Sequence, residues 1–169
     1  EGEGVPQDDA EAVRWYRLAA EQGNASAQYN LGLMYDEGEG VPQDDAEAVR
    51  WYRLAAEQGN ASAQYNLGLM YDEGEGVPQD DAEAVRWYRL GAEQGNVSAQ
   101  NNLGVMYVNG KGVPQDFVYA HLWWNLAAAN GNETAAKNRD LVVELMSAIQ
   151  IAEAQKLARE CVAKDYKGC

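Results

Sequence analysis

An all-α solenoid of stacked helical hairpins is the fold class this chain predicts, on three observations. Residues 1–36 and 37–72 are the same 36 letters, EGEGVPQDDAEAVRWYRLAAEQGNASAQYNLGLMYD, and residues 73–108 repeat them with five changes. A strict period of that length marks a supersecondary unit stacked on copies of itself, each touching only its neighbours. Within each period, two stretches carry apolar residues at helical spacing with breakers between them. Small residues recur inside both stretches, which suits tight packing of helix on helix.

Residues 37–72 show the unit. Val41-Pro42-Gln43 is a breaker, followed by Asp44, Asp45, Ala46 and Glu47. An Asp with a Glu three residues on, ahead of an amphipathic run, signals a helix N-terminus and resembles a capping box. The spacing predicts a helix from about Asp45 to Gln58, with Ala48, Tyr52 and Ala55 on one stripe and Trp51 and Ala56 beside it. Gly59 suits the left-handed position after the helix end, and Asn60 can cap the next helix.

That second helix, about Ala61 to Asp72, is expected to bury Ala63, Leu67, Met70 and Tyr71. Gly68 lies inside it, where glycine costs about 0.5–1 kcal/mol relative to alanine. Close approach of a neighbouring helix is the expected compensation. Gly74-Glu75-Gly76 then leads into the next unit.

The chain reads as a single solenoid domain, 1–169, with repeats 1–36, 37–72 and 73–108, a divergent repeat 109–144 and a capping helix at about 148–163. The divergent repeat keeps Gly110, Gly112, Val113, Pro114, Trp123 and Gly131 but carries Arg139 and Asp140 where the Leu-Gly pair stood. The last helix offers a broad apolar face of Ile149, Ala152, Leu157, Ala158, Cys161 and Val162. At the other end, helix 9–22 presents Trp15 and Tyr16 without the partner that Trp51 and Tyr52 receive. They form a candidate stacking face for a second copy, and hence for a homo-oligomer.

The net charge of −14 sits entirely in the repeats: residues 1–108 hold 20 acids against 6 arginines, whereas residues 109–169 balance 7 acids with 7 bases. An acidic surface repels phosphate backbones, which argues against nucleic acid, and anionic membranes are disfavoured likewise. No apolar run is long enough to cross a bilayer, so a soluble chain without membrane insertion is expected. The chain opens in mid-pattern without an initiator Met, as a fragment or processed form would. Two perfect copies fit an engineered array and a recent duplication equally well.

The pattern Ala-x-Ala-Gln-Tyr-Asn-Leu-Gly-x-Met-Tyr-x-x-Gly-x-Gly-Val-Pro-x-Asp, then Ala-x-x-Trp-Tyr-x-x-Ala-Ala-x-x-Gly, stands here as Ala61–Asp80 followed by Ala84–Gly95 and recurs over residues 1–131. It resembles the Sel-1-like repeats, a branch related to the tetratricopeptide repeats, and Ala120–Ala163 is similar to a common ending of bacterial members. The resemblance implies a right-handed α-solenoid acting as an adaptor or scaffold for other proteins, with no shared catalytic residues and no cofactor. In the family's phase, helix 9–22 is the second half of a unit. The resemblance also implies a pairing of Cys161 with Cys169, eight apart. Such a bond needs the tail to turn back on the last helix and an oxidising compartment. A bacterial periplasmic or secreted location is the expectation.

The differences between copies mark a face. Between the second and third repeats, Ala55 becomes Gly91, Ala61 becomes Val97, Tyr65 becomes Asn101, Leu69 becomes Val105 and Asp72 becomes Val108. The last three positions fall at i, i+4 and i+7 of one helix, a single stripe. By the tetratricopeptide resemblance, that stripe lines the concave surface. The expected partner-binding ladder is Tyr29, Leu33 and Asp36; Tyr65, Leu69 and Asp72; Asn101, Val105 and Val108. Tyrosine and leucine beside aspartate suit a protein or peptide partner laid in a groove, with a mild preference for a cationic one. The same three changes also fit packing of the third repeat against the fourth.

Chemistry finds little support. His121 is the only histidine and has no nucleophile or carboxylate pair in register. The acidic loop Asp36-Glu37-Gly38-Glu39-Gly40 lacks the spacing and closing Glu of a calcium loop, so no metal is expected. The sequons at Asn24, Asn60, Asn96 and Asn132 stand where helix caps are needed. A hydrolase acting on cell-wall-like material, a weaker alternative by analogy with relatives, lacks a Ser-x-x-Lys motif.

Overall fold

The computed structural model describes residues 8–169. Among them, nine α-helices follow one another without a strand: α1 Asp9–Glu21, α2 Ala25–Glu37, α3 Asp45–Glu57, α4 Ala61–Glu73, α5 Asp81–Ala92, α6 Val97–Asn109, α7 Phe117–Ala129, α8 Glu133–Val142 and α9 Ala148–Ala163, with a short 3-10 turn Val143–Leu145 before α9. The helices pack as consecutive hairpins of a solenoid. The most extensive contacts join α2 to α3, α4 to α5 and α6 to α7, across the seven-residue loops.

Caps set the helix ends. Asp44, Asp80 and Asp116 each accept hydrogen bonds from backbone N–H groups in the first turn of α3, α5 and α7. Asn24, Asn60, Asn96 and Asn132 do the same for α2, α4, α6 and α8, at 2.9, 2.9, 2.9 and 2.8 Å. The four sequon asparagines are therefore committed to ending backbone donors that would otherwise go unsatisfied.

Two glycine sites hold the stack together. Gly68 on α4 faces the Tyr88 ring of α5, where a Cβ would come within 2.7 Å of a ring carbon. Gly32 meets Tyr52 in the same way, and Gly104 meets the indole of Trp124. The helix-interior glycine therefore has the close-packing reason its cost demands. Gly76, in the loop after α4, has φ +65° and lies against the Asp45–Ala46 backbone at the start of α3, so each loop is seated on the preceding unit.

The core runs the length of the stack. Leu31, Leu67 and Leu103 are fully buried, as are Tyr52, Tyr88 and Trp123. Trp51 is buried against Val13, Ala20, Leu31 and Met34 of the preceding helices. Buried glutamines link the units: the Gln28 amide donates to the Ala20 carbonyl, and Gln58 donates to Gln28 Oε1 at 2.6 Å. Gln64 and Gln94 repeat the arrangement at 2.7 Å. At the next step Asn130 replaces the outer glutamine, and Gln100 Oε1 stays buried without a partner.

One expectation about the ends needs correction. The last helix does not bury a broad face: Ala154, Ala158 and Cys161 are buried, but Ile149 is 80% and Val162 55% exposed. Its main neighbour is α7, and small residues let that one side approach closely. At the other end, Trp15 and Tyr16 differ in exposure. Trp15 is 64% exposed, whereas Tyr16 packs half-buried against the Val13–Leu31 cluster.

Cys161 and Cys169 are joined in a disulfide that folds the tail back over α9. The turn passes through Asp165 (φ 54°) and Tyr166 (φ 63°), left-handed residues that are not glycine. Tyr166 rests against the Gly95 turn and faces the Asn130 amide at 3.5 Å.

Candidate protein-interaction face

Each ladder position lies on α2, α4 or α6, and all nine are half-buried. Tyr29 and Leu33 rest on the Tyr52–Leu67 cluster, and Tyr65, Val105 and Val108 on the larger cluster around Trp123. Tyr29 and Tyr52 have ring centroids 6.0 Å apart, as do Tyr65 and Tyr88. These five apolar ladder side chains thus have one side in the core and another toward solvent.

The aspartates of the ladder have a structural partner as well. The Tyr52 hydroxyl donates to Asp36 at 2.9 Å, and the Tyr88 hydroxyl donates to Asp72 at 3.3 Å. Burial followed by the adjacent Asp36 carboxylate pushes the Tyr52 phenol far above its usual range. Tyr88 is raised chiefly by burial. Both phenols therefore stay protonated and act as donors. Burial also raises the Asp36 carboxyl, partly offset by the bond from Tyr52.

The third unit differs for a packing reason. Position 124, in the fourth repeat, is Trp where the three earlier repeats have Tyr16, Tyr52 and Tyr88, and the larger indole fills the space against Gly104. Its Nε1–H donates to the Asn101 carbonyl at 3.0 Å, so no carboxylate is needed to accept from a phenol. Asp gives way to Val108 at that position, and the tyrosine that packs beside the ring in the earlier repeats becomes Asn101. These residues pack against the fourth unit while keeping a half-exposed edge.

A fourth rung escaped the sequence. Leu141 lies one period beyond Val105 and is 63% exposed, as is Leu145. With Val108, Trp124, Asn138 and Val142 they line an open groove of about 390 Å³. The loss of the Leu-Gly pair hid the register of α8, although counting 36 residues from Leu33, Leu69 and Val105 reaches Leu141.

Positions 39 and 75, in the second and third repeats, are Glu, whereas the divergent fourth repeat has Lys111 there. The Lys111 ammonium lies 3.6 Å from Asp72 Oδ1. Burial, then Glu75, Asp72 and Asp36 in turn, raise the Glu73 carboxyl, which therefore sits among like charges.

Elsewhere, Arg53 donates to the Tyr71 hydroxyl at 2.7 Å and Arg89 to the Tyr107 hydroxyl at 2.8 Å, tying neighbouring helices together. His121 is buried, its Nδ1 has no partner, and burial followed by Arg139 lowers its pKa. Among the described residues, no group of three or more His, Cys, Asp or Glu is arranged to hold a metal ion, and no helix is long and apolar enough to cross a membrane.

Comparison with known proteins agrees with this architecture. The Sel1 repeat model matches residues 1–24, 25–60, 61–96 and 97–132. A Sel1 repeat protein from Oxalobacter formigenes is 39% identical, with a TM-score of 0.73 over 78% of this chain and 54% of its own. A protective antigen of uropathogenic Escherichia coli strains, displaying an SLR fold, is 31% identical, with a TM-score of 0.69 over 91% of this chain and 42% of its own. Helicobacter pylori cysteine rich protein B shares the fold at 22% identity and a TM-score of 0.61, covering 81% of this chain and 98% of its own. No curated protein matches the sequence. The chain spans 54% and 42% of the first two relatives, about half their length. The 36-residue period, the hairpin packing and the repeat matches agree: this chain belongs to the Sel1 repeat family.

Proposed function

We propose that the protein is a non-catalytic scaffold that binds a protein or peptide partner along the concave face of α2, α4 and α6. Sel1 repeat proteins are generally interaction scaffolds, and the observation that carries the reading here is the recurrence of half-buried ladder positions on each of these helices. Affinity arises from several modest contacts of the same kind, so no single rung dominates. No chemistry is assigned: the lone His121 lies buried on α7.

The test is affinity capture from lysate of the source cells, with the parent beside a variant carrying Tyr29→Ala, Leu33→Ala, Tyr65→Ala and Leu69→Ala. A protein retained by the parent and lost from a variant of unchanged helicity supports the ladder. Equal capture by both would sink it.

A second reading rests on Trp15, which is 64% exposed while its counterparts Trp51 and Trp87 are buried. A homo-oligomer would form by stacking a second copy on α1. Light scattering tests it: a mass that Trp15→Ser does not change removes this reading.

A further inference from the structure

We propose that the partner segment is a basic, amphipathic peptide, bound in one direction, with an apolar side chain in the Val108–Trp124–Leu141–Leu145 groove and Lys or Arg side chains over Asp36 and Glu75. The proposal rests on the concave-face reading and adds the chemistry and polarity of the occupant. The two ends of the ladder differ in kind. At the C-terminal end the aspartate position has become Val108, and Leu141 and Leu145 stand 63% exposed beside it with Trp124 as the floor. At the N-terminal end the same positions are Asp36 and Asp72, and Glu75, Asp72 and Asp36 add to burial in raising the Glu73 carboxyl there.

The chain itself shows what this row of acids accepts. Lys111 occupies the loop position of Glu75 one unit later, and its ammonium sits 3.6 Å from Asp72. By the 36-residue period, the loop residue that corresponds for Asp36 to the Lys111 beside Asp72 is Glu75, an acid where Asp72 has a cation. A peptide ammonium or guanidinium over Asp36 and Glu75 would repeat one unit earlier the contact that Lys111 makes internally, and it would relieve the crowding of like charges. The surplus of 14 acids over arginines in residues 1–108 favours approach of such a segment over an acidic one. An apolar anchor is required as well, because charge alone gives little affinity at a solvated surface.

The probe is a random linear-peptide display library panned on the parent protein, followed by titration of the enriched peptides as labelled synthetic sequences. The expected result is enrichment of sequences joining Lys or Arg to a large apolar residue. Leu141→Ser together with Leu145→Ser should weaken binding by roughly tenfold, the usual effect of losing an anchor. Glu75→Lys should weaken it by a comparable factor and flatten its salt dependence. All three positions are exposed, and lysine already stands at the corresponding loop position in the fourth repeat, so folding is not at stake.

Enriched peptides that lack the basic and apolar pattern, but still lose binding in the Tyr29, Leu33, Tyr65 and Leu69 variant, would overturn this proposal and leave the concave-face reading standing. Absence of enrichment would count against both. A dimer at micromolar concentration that the Leu141 and Leu145 substitutions dissolve would give the groove to a second copy and also overturn the proposal.

Discussion

Alanine at two glycines should move stability in opposite directions. Gly68 and Gly91 both lie inside helices, so alanine at either removes a helix-propensity penalty of about 1 kcal/mol. Their surroundings differ. At Gly68 the added Cβ would meet Tyr88 ring carbons at 2.7 and 2.8 Å and the Ala84 carbonyl at 3.3 Å. The ring cannot swing aside, because Tyr88 is fully buried and its hydroxyl is held by Asp72 and Asn102. Overpacking of this kind costs about 1–3 kcal/mol, and a fixed ring puts the site toward the upper end. Gly68→Ala should therefore lose about 1–2 kcal/mol net.

At Gly91 the nearest neighbours of the added Cβ are the Ala61 carbonyl and the Ala99 methyl, both at 3.2 Å, a gap that a shift of tenths of an ångström relieves. The preceding unit already accommodates Ala55 at the same position, fully buried. Gly91→Ala should gain about 0.5 kcal/mol. Thermal unfolding followed by circular dichroism reads both, since about 1 kcal/mol moves the midpoint of a domain this size by roughly 2–4 °C. A Gly68→Ala protein as stable as the parent would refute the reasoning, as would two variants that shift in the same direction.

Asn130→Gln should restore the missing glutamine pair and satisfy Gln100 Oε1 as Gln94 satisfies Gln64; a gain of about 1 kcal/mol in urea unfolding is expected, and a loss would show that the contact to Tyr166 matters more. Glu73→Gln should raise stability at neutral pH. The Glu73 carboxyl is raised in the folded chain, so its favourable contribution is complete below the unfolded pKa and is lost as pH rises through the folded one. The urea midpoints of parent and variant should then converge below about pH 4, where both are uncharged; a constant difference across pH would contradict the crowding of Glu73 by its neighbours.

Much of the fold was legible because its signals are local or periodic. Asn60 ahead of an apolar run, Gly59 before it and Asp44 three residues from Glu47 each act within one helix turn, and all three serve as caps or turns in the structure. Gly68 announced a close neighbour by its cost alone. The identity of that neighbour was not legible, since Tyr88 lies 20 positions away on the next helix. The ladder positions stood out because repeats differ there, but the same letters carry a second meaning. Asp36 accepts a hydrogen bond from Tyr52, and Asn101 and Val108 answer the indole of Trp124. Leu141 and Leu145 were hidden by the divergence of α8, where local motif and global register part company.

The sequence by itself determined the unit, its period, its helix ends and the acidic character of the repeats, because capping, breaker chemistry and apolar spacing act over a few residues and 36 identical letters must fold alike. Only the tertiary structure decided which side chains meet across helices: the glycine-on-ring contacts, the glutamine pairs, Lys111 on Asp72 and the apolar groove at the far end. Those contacts depend on where each helix places its side chains in space, and a single altered ring at position 124 rewrites the residues around it.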